Sequence, residues 1–204
     1  MRIFQATPGD IPRVTPLFVQ YRTFYRLPAR PEAAEAFLLE RCTAGESVLF
    51  VAQNEEGEVL GFAHLYPLFC SLALKPIWLL YDLFVAPAAR QQGVAQALLA
   101  RADRHGQETG AAFLMLSTAT DNRQAQALYE GHGYQRDIEF YSYIKPSEPL
   151  AWPIAGPGPG IIQRMHGEIL SIHRMNKGDP GVAFVTSGSQ PRAGSARSPA
   201  PAAR

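Results

Sequence analysis

"IWLLYDLFVAPAARQQGVAQALLARA", residues 77 to 102, decides the fold class, because it passes from strand to helix across one short turn. Residues 77 to 86 are apolar almost throughout, Asp82 being the exception, as in a strand covered on both faces. Pro87 ends that strand, since proline cannot donate to a sheet ladder. Arg90 to Ala95 then occupy a turn into a helix over about 93 to 108, where several backbone N–H groups lack an intrahelical partner. Such a turn attracts anions. Gly93, without a Cβ, lets the backbone approach a ligand, small Ala95 keeps the first turn uncrowded, and Arg90 offers a charged donor for phosphate oxygens. The groups suit a pyrophosphate. An ordinary helix start with a surface arginine describes the same residues, and taken alone they favour it. Neither G-x-x-x-x-G-K-[ST] nor a G-x-G-x-x-G opening a βαβ unit is present.

Upstream, "RIFQA" (residues 2–6) reads as a strand, and Asp10 as the N-cap of a helix over "IPRVTPLFVQYRTFY" (11–25). Pro12 is tolerated in the first turn of that helix, whereas Pro16 weakens it. "PEAAEAFLLERC" (31–42), rich in strong helix formers, is a second helix before the Gly45 break. "SVLFVAQ" (47–53) and "VLGFAHLYPLF" (59–69) flank "NEEGE" (54–58) as an antiparallel hairpin. Downstream, "AFLMLSTA" (112–119) is a strand, 122–131 a helix and "IEFYSYI" (138–144) a last strand. The order is that of a mixed α/β (α+β) sheet, not an all-parallel one.

The chain has 204 residues, 47% of them hydrophobic, enough for one domain with a real core. A net charge of +1 gives no basic footprint for nucleic acid. Cys42 and Cys70 form no CxxC pair, so free thiols in a reducing compartment are expected. "MRIFQATPGD" lacks an apolar signal core, and no apolar run approaches the roughly 18 residues of a membrane helix. The expectation is a soluble, cytoplasmic protein without membrane contact. His64, His105, His132, His166 and His173 show no metal-ligand spacing, and no metal is expected. Near Pro146 the composition shifts, with nine of the 17 prolines and eight of the 17 glycines in the last 59 residues. Residues 1–145 are therefore read as the domain and 146–204 as a largely disordered tail, in which "GIIQRMHGEILSIHRM" (160–175) alone has helical spacing.

"TATDNRQAQALYEGHGYQRD" (118–137) bears on the turn at Gly93. Its short helix carries Asn122, Ala125, Gln126 and Tyr129 along one face. A strand running out beside residues 77–86 would leave Asn122 and Tyr129 on the same rim as the anion loop. With both blocks in view, the sequence resembles the GNAT superfamily of acetyl-CoA-dependent N-acetyltransferases, whose [RQ]-x-x-G-x-[GA] signature is matched by Arg90, Gly93 and Ala95. The resemblance spans about residues 2 to 144. "YRTFY", "SVLFVAQ", "GFAHLYPLF" and "LYDLFVAP" look like the histone or D-amino-acid acetyltransferase subgroup. Ala95 stands for the commoner second glycine, and Gln91 with Gln92 replace the Arg or Lys and Gly often found there.

The resemblance implies a mostly antiparallel central sheet flanked by helices, with a splayed parallel strand pair binding acetyl-CoA as cosubstrate. Residues 90 to 95, Val94 included, would hold the pyrophosphate, and the backbone around Phe84 and Val85 would pair with the pantetheine arm. Tyr129 stands where family enzymes keep the tyrosine that protonates the departing thiolate, a transfer that phenol chemistry allows. Asn122 would bond the cofactor arm or order water, and capping its own helix is compatible with both. Asp82, which strand alternation sets on the face of Leu80 and Phe84, is open to three roles: accepting the amine proton, anchoring an ammonium, or a structural carboxylate. The acceptor site is expected around Tyr21, Arg22, Tyr25 and Tyr66, with Arg22 or Arg26 holding a substrate carboxylate. The implied reaction is acetyl transfer to a primary amine of a small molecule, an amino acid or polyamine, by direct attack. A protein lysine as acceptor, or an acyl-CoA-binding module without catalysis, are the alternatives, and the family analogy admits a homodimer.

Overall fold

The computed structural model describes residues 1–147; the expectations for 148–204, including the helix over 160–175, lie outside the described residues. Strands β1 (Arg2–Gln5), β2 (Val48–Gln53), β3 (Val59–Cys70), β4 (Lys75–Val85) and β5 (Leu114–Leu116) lie in the sheet in chain order. Neighbours are antiparallel up to β4; two helices separate β1 from β2, whereas β2, β3 and β4 are joined by short turns, the first at Asn54–Glu58 as the "NEEGE" spacing predicts. Helix α3 (Val94–Glu108) carries the chain back, so β5 lies parallel to β4. Helices α1 (Ile11–Phe24) and α2 (Pro31–Thr43) cover one face, where Ile11, Val14, Leu38, Phe62 and Phe84 pack together. The other face carries α3, whose Leu98, Leu99 and Ala102 pack on Phe50, Ala63 and Leu65, while Leu128 and Tyr129 of α4 (Arg123–Gly131) close one end. None of the helices described is long and apolar enough to cross a membrane.

One irregularity in β4 makes the site. His64 pairs with Asp82 but Leu65 pairs with Leu80, so Tyr81 is an extra residue, a bulge that bends the strand. On its other side β4 is paired only from Trp78↔Leu114 to Leu80↔Leu116. Past the bulge the two strands part. The bulge also breaks the alternation expected around Asp82. Leu80 packs with α3, whereas Phe84 packs with α1, so Asp82 shares a face with Phe84 and not with Leu80.

Other expectations are corrected as well. Residues 138–144 form no strand: Asp137 accepts the N–H groups of Glu139 and Phe140 at 2.8 and 3.2 Å, turning the chain, and Ile138, Tyr141 and Tyr143 stay exposed. Apolar alternation alone does not supply a strand partner. Asp10 stands at the N-cap of α1 as expected, but its carboxylate accepts from the Thr7 N–H and hydroxyl, closing the short turn at Pro8–Asp10, and bonds no N–H of α1. Pro16 is tolerated inside α1 because it and Pro12 lie on the exposed side, where the carbonyl it leaves unbonded meets water.

Candidate active site

Where β4 and β5 part, a cleft of about 560 Å³ opens between their ends, the start of α3 and one side of α4. Ala86 donates its N–H to Leu60 on β3 at 2.9 Å, so by strand alternation the backbone groups of Val85 and Leu83 face the opposite, open edge. The Arg90 side chain confirms that direction, donating through Nε to the Val85 carbonyl at 3.2 Å. Its guanidinium lies over the Phe84 ring, 5.6 Å from the centroid. Phe84 contributes its ring to the cleft, while its own carbonyl turns to β3 beside Gly61.

At the far end, α3 begins at Val94 with Gly93 as N-cap at φ 79°. A Cβ on Gly93 would meet only Gln96 Oε1 at 3.6 Å, so its conformation, more than close approach, calls for glycine. Gln91, also lining the cleft, takes φ 61° without that freedom. The Gln92 side chain turns away from the cleft to bond the Ala88 carbonyl at 3.0 Å. Gln91→Gly is expected to relieve part of the roughly 1–2 kcal/mol cost of a left-handed side-chain residue and to raise Tm by about 2–4 °C. Scanning calorimetry checks this, and an unchanged or lower Tm counts against strain at Gln91.

Tyr21, Tyr25, Phe84, Val85, Arg90, Gln91, Gly93, Val94, Ala95, Asn122 and Tyr129 thus meet in one cleft. Asn122 accepts the Ala125 N–H at 3.2 Å, so it caps α4 while facing the cleft. Tyr129 packs edge-on to Tyr134 at 6.0 Å, and burial, reinforced by Tyr25, pushes its hydroxyl up to about 12. It keeps its proton at neutral pH. Arg90 is the single charged side chain among the described residues lining the cleft.

Asp82, Arg22, Gln92 and Tyr66 do not line it. Arg22 reaches back to the Pro28 carbonyl at 3.4 Å, bracing the end of α1, and no contact brings it to the cleft. Asp82 is buried where its charge reaches the Tyr21 hydroxyl, and its Oδ2 lies 3.3 Å from His64 Nδ1. The Tyr66 ring lies tilted against His64, centroids 4.7 Å apart, with its hydroxyl 3.4 Å from His64 Nδ1, and meets Tyr81 edge-on at 5.7 Å. Burial, with the Asp82 charge next, raises the hydroxyls of Tyr21, Tyr66 and Tyr81. Sequence reasoning missed Tyr81, Ser117 and Thr118 as lining residues, and His64 as the neighbour of Asp82. The β3–β4 register would have revealed the His64 pairing, but the bulge hides that register. Among the described residues no cluster of His, Cys, Asp or Glu is arranged to hold a metal ion.

Comparison with known proteins adds independent support. The sequence model of the Acetyltransferase (GNAT) family matches residues 13–134. The uncharacterized N-acetyltransferase YhfO of Bacillus subtilis (strain 168) is 45% identical over 143 residues, covering 70% of this chain and 95% of its own. A crystal structure of a probable acetyltransferase, 44% identical, superposes with a TM-score of 0.70 over 74% of this chain and all (100%) of that one. A predicted acetyltransferase from Clostridium acetobutylicum, solved with acetyl-CoA, shares the fold at 14% identity and TM-score 0.58, over 70% of this chain and 95% of its own.

Proposed function

Since the chain belongs to the acetyltransferase (GNAT) family and is an enzyme of that class, we propose that it transfers the acetyl group of acetyl-CoA to the primary amine of a small molecule. The observation that carries this reading is the parting of β4 and β5, which opens one cleft holding both the α3 N-terminus and Tyr129. The donor set suits CoA. The free edge of β4 at Leu83 and Val85 matches the amides of a pantetheine arm, and the first-turn N–H groups of α3 with the Arg90 guanidinium match a pyrophosphate. When bound, acetyl-CoA supplies an acetyl group already activated as a thioester.

The chain's own residues supply the rest. Val85 and Leu83 orient the arm through their backbone, and Asn122 borders it from α4. Tyr129 holds a proton for the sulfur that departs, a group with an ordinary thiol pKa near ~8.5. Tyr21, Phe24, Tyr25 and Tyr81 give the acceptor end an aromatic wall. Aromatic faces attract an ammonium. The described lining holds no carboxylate for a second ammonium, which favours a compact monoamine over a polyamine. An α-amine, ordinarily near ~7.7–8.0, also asks less of a base than an alkylamine near ~10.4.

The test is thiol release from acetyl-CoA across a panel of amines, with turnover expected for small α-amines. Tight CoA binding without thiol release for any acceptor would overturn the enzymatic reading. Arg90→Ala should weaken CoA about tenfold or more, the loss of a charge-assisted hydrogen bond worth roughly 1.5–3 kcal/mol. Unchanged affinity by calorimetry removes Arg90 from the pyrophosphate site.

A further inference from the structure

Tyr129 is the third residue from the end of α4, and the chain beyond it folds back as a closed cap. The Tyr134 N–H donates to the Tyr129 carbonyl at 3.0 Å, and the Gly133 N–H to the Glu130 carbonyl at 3.0 Å. Those are the two bonds of a Schellman cap, with Gly133 in its left-handed position at φ 87°. Such a cap returns its outermost residue onto the third residue from the helix end. Here the two are Tyr134 and Tyr129, whose rings meet edge-on at 6.0 Å. From Tyr134 the contact continues to α3, because its hydroxyl donates to Asp103 Oδ1 at 2.9 Å. Asp103 Oδ2 lies 3.9 Å from Nδ1 of His132, a second residue of the cap. Asp103 belongs to the helix whose first turn lines the cleft, roughly 13 Å along its axis from Val94. Helix α4 has nine residues, none of them fully buried, so packing alone holds it weakly. Its placement depends on tethers: Gln126 Nε2 to the Ala119 carbonyl at 2.9 Å, and Tyr134 to Asp103 past the other end.

We propose that Tyr134 and Asp103 are positioning residues for Tyr129, tying the helix that carries the proton to the helix that holds the cosubstrate; this rests on Tyr129 being the acid in the acetyltransferase reading. The departing sulfur belongs to a molecule held by α3 and β4, whereas its proton comes from α4. The phenol must therefore stay within hydrogen-bonding reach of a group fixed on other elements. A misplacement of about 1 Å can cost about 10²-fold in rate. The bond to Asp103 stops α4 from sliding along α3 or lifting from it, and the Tyr134 ring carries that constraint to Tyr129. Neither Asp103 nor Tyr134 lines the cleft, so both act through Tyr129 and not on the bound molecules. A tether that served stability alone could leave α4 at any exposed residue. This one leaves from the residue that packs against the proton donor and bonds its backbone carbonyl.

The experiment measures kcat and KM for a small α-amine, with CoA affinity by calorimetry. Tyr134→Phe keeps the ring contact and the cap and removes only the bond to Asp103. It should lower kcat about tenfold, with the amine KM and CoA affinity within about twofold of wild type. Asp103→Leu should reproduce that loss, whereas Asp103→Asn, which keeps an oxygen acceptor, should stay within about threefold of the wild-type kcat. The double variant gives the readout that a merely structural role would not: in Tyr129→Phe, which has no hydroxyl to position, adding Tyr134→Phe should change kcat by less than about twofold. Wild-type kcat in Tyr134→Phe, or an equal loss from it in both backgrounds, overturns the positioning role. If Asp103→Leu does not fold, Tyr134→Phe and the double variant decide. A wild type that binds CoA but acetylates no amine refutes the acetyltransferase reading, and full rate in Tyr129→Phe refutes its acid. A slow Tyr129→Phe beside an unaffected Tyr134→Phe refutes only the tether.

Discussion

Tyr129→Phe is expected to lower kcat by about 10²–10⁴-fold, the usual contribution of a positioned general acid, and to leave CoA affinity nearly unchanged. The ring faces the cleft and packs on Tyr134, so phenylalanine keeps the contact and removes only the hydroxyl. The pH dependence follows from the same burial. With the hydroxyl pushed up to about 12, Tyr129 stays protonated as pH rises, and its donor function is lost only as pH passes that value. An unshifted phenol, near ~10, would begin to fail about two pH units lower. Wild-type kcat should therefore show no descending limb from this group below about pH 10, and the variant should be slow throughout. Stopped-flow thiol release with saturating amine measures both. Full rate in Tyr129→Phe at every pH would assign the proton to another donor.

Much of this site was legible in the sequence because its signals are local. The apolar run ending at Pro87, the turn through Gly93 and the α4 face carrying Asn122 and Tyr129 each depend on a few consecutive residues, and each falls where expected. That these pieces share one cleft followed from placing the two strands side by side, which the structure bears out. Long-range register was not legible. Tyr81 looks like any strand residue, yet as a bulge it moves Asp82 away from the face of Leu80 and opposite His64. Ser47 and Asp82 flank His64 only once β2, β3 and β4 are aligned. Residues 138–144 show the opposite failure, because their alternation is visible in sequence while the described sheet ends at β5 and does not take them in. Side-chain direction is a further gap: Arg22 and Gln92 belong to the right segments but turn to nearby carbonyls.

Gly61→Val is expected to be the most damaging substitution outside the chemistry, destabilising the fold by about 3 kcal/mol. A Cβ at Gly61 would stand 2.9 Å from the Phe84 carbonyl oxygen, 3.1 Å from Val94 Cγ1 and 3.2 Å from Leu98 Cδ1. The first of these is backbone in a paired strand, so it cannot rotate aside as a side-chain end would. The other two belong to fully packed residues at the start of α3. Relief must come from moving β4 or α3. Both border the cleft, through Val85 on one side and Val94 with Ala95 on the other, so the same displacement should loosen CoA binding. Urea unfolding and calorimetry together separate the effects: a lower midpoint with unchanged m-value reports lost stability, and weaker CoA binding below the unfolding range reports the moved wall. Gly61→Ala, carrying only the Cβ, should lie between wild type and Gly61→Val in both measurements. Wild-type stability in Gly61→Val would show that β4 and α3 can yield, and that the close approach of β3 to Phe84 does not hold the cleft in shape.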